Sequence, residues 1–186
     1  MTGWTVHEGA AARLPRANVD TDQLIPARFM STPRADGYGR FLLHDTDADI
    51  PAGTTVLLAG ANFGSGSSRE AAVYALVDFG IRAVLAPSFG DIFAANAVNN
   101  GLLPAVVADA LDMPAGRATV DLAAGTATVG GRAVAFDLDP AWRDKLVHGW
   151  DDIDLTTRHA AAIAAFRADR RTTTPWAVPA PTNEAD

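Results

Sequence analysis

Cysteine is missing from the sequence altogether. That excludes disulfides, thiol nucleophiles and thiolate metal sites, and equally an iron–sulfur cluster held by the chain's own cysteines. Lysine is nearly missing as well: Lys145 is the only one among fifteen basic residues. The Gly-rich turns therefore lack the Lys that a Walker A loop requires. Positive charge is in deficit, with a formal net charge of -7, which argues against nucleic acid as a partner. No apolar run approaches the roughly 18 residues of a membrane span. The opening MTGWTVHEGA has neither a basic n-region nor an apolar h-region, so no membrane association is expected and a cytoplasmic location is the default. The four histidines, His7, His44, His148 and His159, show no metal-ligand spacing, and no metal site is expected on this chain.

What is present is a chain that is 48% hydrophobic, enough to bury a core in one domain. We assign residues 1–170 to that domain and 171–186, rich in Pro and Thr, to a flexible tail. The first fifty residues show no sustained period. They contain NVDTDQLIPARFM (18–30) and a polar, Gly-bearing loop, STPRADGYGR (31–40). TTVLLAG (54–60), IRAVLAP (81–87) and LLPAVVA (102–108) are short apolar runs with the pattern of strands buried on both faces. Between them, 68–79 places Ala72, Ala75, Leu76 and Phe79 on one helical stripe that stops at Gly80. Ile92–Asn100 reads as a second helix, with Ser88 as its cap and Gly101 as its stop. The alternation predicts an α/β fold with a parallel β–α–β–α–β core. After residue 116, alternating segments around Gly125 and Gly130-Gly131 predict antiparallel hairpins. Two C-terminal helices follow, over 139–149 and centred on 158–170. Asp151, Asp152 and Asp154 stand before the second as capping or solvated acids.

Chemistry concentrates in NFGSGSSRE (62–70), where a parallel strand's C-terminal end turns into a helix, the place where open α/β sheets bind ligands. Gly64 and Gly66, with Ser65 between them, let a backbone approach a ligand closely. Ser67 and Ser68 put two hydroxyls at a helix N-terminus, which attracts anions, and Arg69 adds a planar fork suited to carboxylate. A carboxylated small molecule is the expected ligand. Ser67 with Glu70 also fits a capping box, a reading compatible with the first. GxGxxG fails because Arg69 stands at the third Gly, and GxSxG is absent.

NVDTDQLIPARF, NFGSGSSREAA, RAVLAPSFGDIFAANAVNNGLLP and GWDDIDLT resemble, in order, successive signatures of the small subunits of 3-isopropylmalate dehydratase. The resemblance covers roughly residues 18–160. It implies the swivelling β/β/α domain of the aconitase superfamily. It also implies a hydro-lyase subunit of leucine biosynthesis, active only with a large subunit that carries the [4Fe-4S] cluster, and a small di- or tricarboxylate substrate. Residue by residue, Ser67 matches the serine that serves as base in aconitase, and Ser68 and Arg69 match neighbours that bind substrate carboxylate. Asp22 sits in the TD motif beside the active site. Residues 28–38 match the substrate-recognition loop, in which Arg28 or Arg34 reaches substrate. Family members usually carry Cys where this chain has Ser65, and His followed by Pro-Trp where it has Ala71, Val73 and Tyr74. These departures leave the diacid open: isopropylmalate, or the citraconate, methylmalate or dimethylmalate of sister hydro-lyases. A reading of another class is a stand-alone anion-binding module built on the 64–70 loop.

Overall fold

In a computed structural model, residues 2–177 of the chain are described, and the chain divides into two compact units, 1–151 and 152–186. The first unit carries a seven-stranded sheet. Strands β1 (Val6–Leu14), β2 (Thr54–Ala59), β3 (Ala83–Ala86) and β4 (Leu103–Val106) run parallel; β5 (Gly116–Asp121), β6 (Thr126–Val129) and β7 (Arg132–Ala135) are antiparallel to their neighbours. The order across the sheet is β4-β3-β2-β1-β5-β6-β7. The parallel core and the later hairpins agree with the sequence.

β1 does not. It lies in the stretch read as lacking a period, yet it joins the two halves of the sheet, parallel to β2 and antiparallel to β5. Its VHEGAAARL has a Gly and three alanines and little β propensity; two flanking strands supply the ladder partners that override it.

Alternation through β2 and β3 sends side chains to both faces. Val56, Leu58, Ala83 and Leu85 enter a core shared with β5, β6 and Leu146 of α4 (Pro140–His148). Leu57, Ala59, Val84 and Ala86 enter the other, with Leu24 of α1 (Thr21–Leu24), Leu76 of α2 (Glu70–Phe79) and Phe93 of α3 (Asp91–Asn99). Burial on both faces explains the continuous apolar runs. Gly80 and Gly149 end α2 and α4 in the left-handed conformation, at φ 113° and 72°, as read from the sequence.

Two helix starts differ from expectation. α3 begins after Gly90 without a side-chain cap, and Ser88, expected there, accepts a hydrogen bond from the Asn62 N–H at 2.8 Å instead. α2 begins at Glu70, two residues later than read, with Arg69 in the cap position and no side-chain cap hydrogen bond. The capping box is elsewhere: the Asp20 carboxylate accepts from the Gln23 N–H at 2.7 Å, and the Gln23 side chain accepts from the Asp20 N–H at 3.0 Å.

In the second unit, α5 (Asp152–Thr157) takes Asp152 and Asp154 into its first turn, and α6 spans Ala160–Thr173. α6 thus enters the segment assigned to the tail, and a short 3-10 turn follows at Pro175–Ala177. The rest of that segment, 178–186, lies outside the described residues.

Candidate active site

Three loops meet beyond the C-terminal ends of β1, β2 and β3, and hydrogen bonds tie them into a short extension of the sheet. On one side of the central loop, the Gly64 N–H donates to Val19 O at 2.7 Å and the Thr21 N–H donates to Ser65 O at 2.9 Å. On the other, the Phe63 N–H donates to Ser88 O at 3.0 Å and the Gly90 N–H donates to Phe63 O at 2.9 Å. Isolated parallel bridges, Asp20 with Ser65 and Phe63 with Phe89, record the same pairing. The turns Asn62-Phe63-Gly64 and Ser88-Phe89-Gly90 are thereby aligned as two versions of one device.

Glycine is required at the contact between them. A Cβ on Gly64 would lie 2.1 Å from Cγ of Phe93, and one on Gly90 would lie 2.7 Å from Gly64 O. Gly64 also has φ +73°. Phe93 is buried, edge-on to Phe63 at 5.4 Å between ring centroids, so it cannot swing away. Gly64→Ala is expected to destabilise the chain by about 2–5 kcal/mol, combining left-handed strain of about 1–2 with overpacking of about 1–3. Gly53→Ala is the control, since Gly53 has φ +82° but open space around its Cβ. Urea unfolding of the two variants measures the difference; equal losses would mean that the Phe93 contact yields freely.

The loops enclose a cleft of about 210 Å³. Gly64, Ser65, Gly66, Ser67, Ser68 and Arg69 form one wall, Thr21 lies at their flank, and Gly90, Asp91, Ile92 and Phe93 form the other wall. Ser67 and Ser68 are exposed. Among the described residues their hydroxyls have no hydrogen-bond partner, nor do the N–H groups of Gly66, Ser67 and Ser68. Unused donors at the end of a parallel strand, before a helix N-terminus, suit an anion. The Ser67 capping box does not form: Ser67 is three residues before the first helical residue, and its carbonyl accepts from the Arg69 N–H at 2.8 Å.

Arg69 is 23% exposed and pairs through Nη1 with the carboxylate of Asp22. The structure therefore brings Asp22 and the whole 64–69 stretch together. It does not bring Arg28 or Arg34 to them. Arg28 forms a two-pronged pair with Asp45, both contacts 2.5 Å, and Arg28 holds the Asp45 carboxyl well below the usual carboxylate range. Arg34 pairs with Asp78 at 2.6 and 2.9 Å and lies 4.4 Å over the Tyr74 ring. Burial, then a hydrogen bond with Glu70, pushes the Tyr74 phenol up. Both arginines fasten the 27–47 segment.

Gly90, Asp91, Ile92 and Phe93 are not read as site residues from the sequence, and Thr21 enters there only as the Thr of the TD motif. The signal was there in part: SFGD repeats the NFGS pattern at the end of the next strand, and Thr21 lies within NVDTD.

Fold and cleft together define an aconitase-type domain, and residues 41–110 match the aconitase C-terminal domain family. Residues 152–180 match the family model for the C-terminal domain of the 3-isopropylmalate dehydratase small subunit. The chain is 43% identical to the 3-isopropylmalate dehydratase small subunit of Parafrankia sp. (strain EAN1pec), covering 91% of this chain and 96% of that one. It is also 43% identical to that of Rhodospirillum centenum, covering 96% and 100%. The crystal structure of 3-isopropylmalate dehydratase from Methanocaldococcus jannaschii superposes with a TM-score of 0.70 at 27% identity, covering 86% of this chain and 98% of that one. The chain belongs to the family of 3-isopropylmalate dehydratase small subunits.

Proposed function

We propose that this chain joins a large iron–sulfur subunit to interconvert 2-isopropylmalate and 3-isopropylmalate by dehydration and rehydration. The observation that carries this reading is the cleft itself: two serine hydroxyls and three backbone N–H groups without protein partners among the described residues, beside Arg69. In dehydration, the ionised Ser67 oxygen takes a proton from the carbon next to a substrate carboxylate, the carbon–oxygen bond at the neighbouring carbon breaks, and the departing hydroxide takes a proton from an acid of the partner's half of the site to leave as water. Addition of water across the double bond in the other orientation completes the isomerisation. Ser68 and Arg69 hold a carboxylate throughout, Asp22 keeps Arg69 in place while leaving its other N–H donors for substrate, and Gly64, Ser65 and Gly66 bring backbone close to that anion. Arg28 and Arg34 shape the 28–38 loop by tying its start to Asp45 and its middle to Asp78.

A cluster does not fit this chain, which has no cysteine; among the described residues no group of three or more His, Cys, Asp or Glu could hold a metal ion. Bound to the partner, it would supply Lewis-acid binding of the substrate's hydroxyl and carboxylate oxygens. Ser67 needs such help. A helix N-terminus stabilises an anion by at most about 2 kcal/mol, or about 1.5 pKa units, and Ser67 stands outside α2. Arg69 and the assembled, water-poor site must supply the remainder.

Substrate profiling of the reconstituted pair tests the reading. The highest kcat/KM is expected for the isopropyl diacids. One methylene in an apolar pocket is worth roughly 1–3 kcal/mol, so methylmalate should fall behind by at least about 10-fold. A preference for methylmalate or dimethylmalate, in keeping with Ser65, Ala71, Val73 and Tyr74, would move the chain to a sister hydro-lyase.

A further inference from the structure

We infer that Thr21 is a positioning residue for Ser67, an inference that rests on the reading of Ser67 as the base. Thr21 is the first residue of α1 and is 2% exposed. Its backbone N–H donates to Ser65 O at 2.9 Å, and its Oγ1 donates to Ser67 O at 2.9 Å. One buried residue thus grips the carbonyls on both sides of Gly66, whose φ of +92° lies in the left-handed region. The grip is firm on the Thr21 side. The Asp20–Gln23 capping box fixes the first turn of α1, and Leu24 and Ile25 are fully buried behind it.

The Ser67 side has little else to hold it. Its side chain is exposed and has no hydrogen-bond partner among the described residues, and its carbonyl's other contact is the Arg69 N–H within the same loop. The direction in which the Ser67 oxygen points is therefore set through its backbone, and Thr21 Oγ1 is the one side-chain donor from outside the loop on that backbone among the described residues. A base must lie within hydrogen-bond reach of the proton it removes, and a misplacement of about 1 Å costs on the order of 10²-fold in rate. A threonine whose hydroxyl merely satisfied a buried carbonyl would affect folding and leave turnover of the folded enzyme alone.

Thr21→Val removes the hydroxyl while keeping the shape and the N–H to Ser65. Thr21→Ser keeps the hydroxyl and loses only a methyl. In the pair reconstituted with its large subunit, Thr21→Val is expected to lower kcat by about 10- to 100-fold with KM within about threefold, and Thr21→Ser to restore kcat to within about threefold. Combined with Ser67→Ala, Thr21→Val should lower kcat no further, because it acts through the oxygen that is already gone. Unchanged kcat in Thr21→Val overturns the inference, as does an equal further loss in the double variant. If Thr21→Val does not fold, Thr21→Ala takes its place; if neither folds while Thr21→Ser is fully active, Thr21 is a structural residue and the inference fails. Failure of the underlying reading is separate: Ser67→Ala would then itself retain wild-type kcat.

Discussion

Replacing Ser67 by Ala in the reconstituted enzyme is expected to lower kcat by about 10²–10⁴-fold, with no change in the melting temperature of the chain. The two halves of this expectation come from different observations. The loss of rate follows from removing the oxygen that receives the proton. The unchanged stability follows from the geometry of α2: Arg69 occupies the cap position without a side-chain cap, and the Ser67 hydroxyl has no protein partner among the described residues. Were Ser67 a cap, the Ala variant would lose about 1 kcal/mol and a Gly variant only a few tenths. For a chain of this size that difference is about 2–4 °C in melting temperature. Ala and Gly at position 67 should instead melt together and be equally slow. Retention of more than a third of wild-type kcat in Ser67→Ala lies well outside the range for a lost base and would move the proton transfer to Ser68 or to the partner.

The capping box shows where sequence pattern and geometry part. Ser67-Ser68-Arg69-Glu70 has the spacing of a box, yet Asp20-Thr21-Asp22-Gln23, four residues of an apparently irregular stretch, is the one that closes. A pattern of four residues specifies which bonds are available, not where the helix starts. The start of α2 is set by the loop's pairing with the neighbouring loops at Val19, Thr21 and Ser88, contacts that no local window of sequence contains. The same long-range pairing explains why Ser88 serves Asn62 rather than α3.

The parallel strands and the hairpins were legible because burial on both faces or on one leaves a period in the text, and because Gly80, Gly125 and Gly149 mark stops that only a left-handed residue allows. β1 was not: three alanines and a glycine carry little preference, and its place at the join of the sheet depends on strands 40 and more residues away. In the cleft, Gly64 to Arg69 were legible because serines, glycines and an arginine after a buried strand have few structural reasons to cluster. Ile92 and Phe93 read as ordinary helix residues, and only the alignment of the two Phe-Gly turns carries them to the wall opposite Ser67. Arg28 and Arg34 show the converse. A loop arginine suits an anion, but acids from outside the 28–38 loop, Asp45 and Asp78, hold the forks, a pairing that no local spacing announces.

The proposed pairing makes this chain half of an active site, inert without the other half. It is tested most directly by following 2-isopropylmalate turnover with three anaerobic samples: this chain alone, the cluster-loaded large partner alone, and the two mixed. No turnover is expected in either separate sample, and the mixture should isomerise the substrate at a rate that rises with added small chain until the large partner is saturated. Turnover by this chain alone, or a mixture no faster than the large partner alone, would contradict the pairing, and the second outcome would favour a stand-alone anion-binding module built on the 64–70 loop.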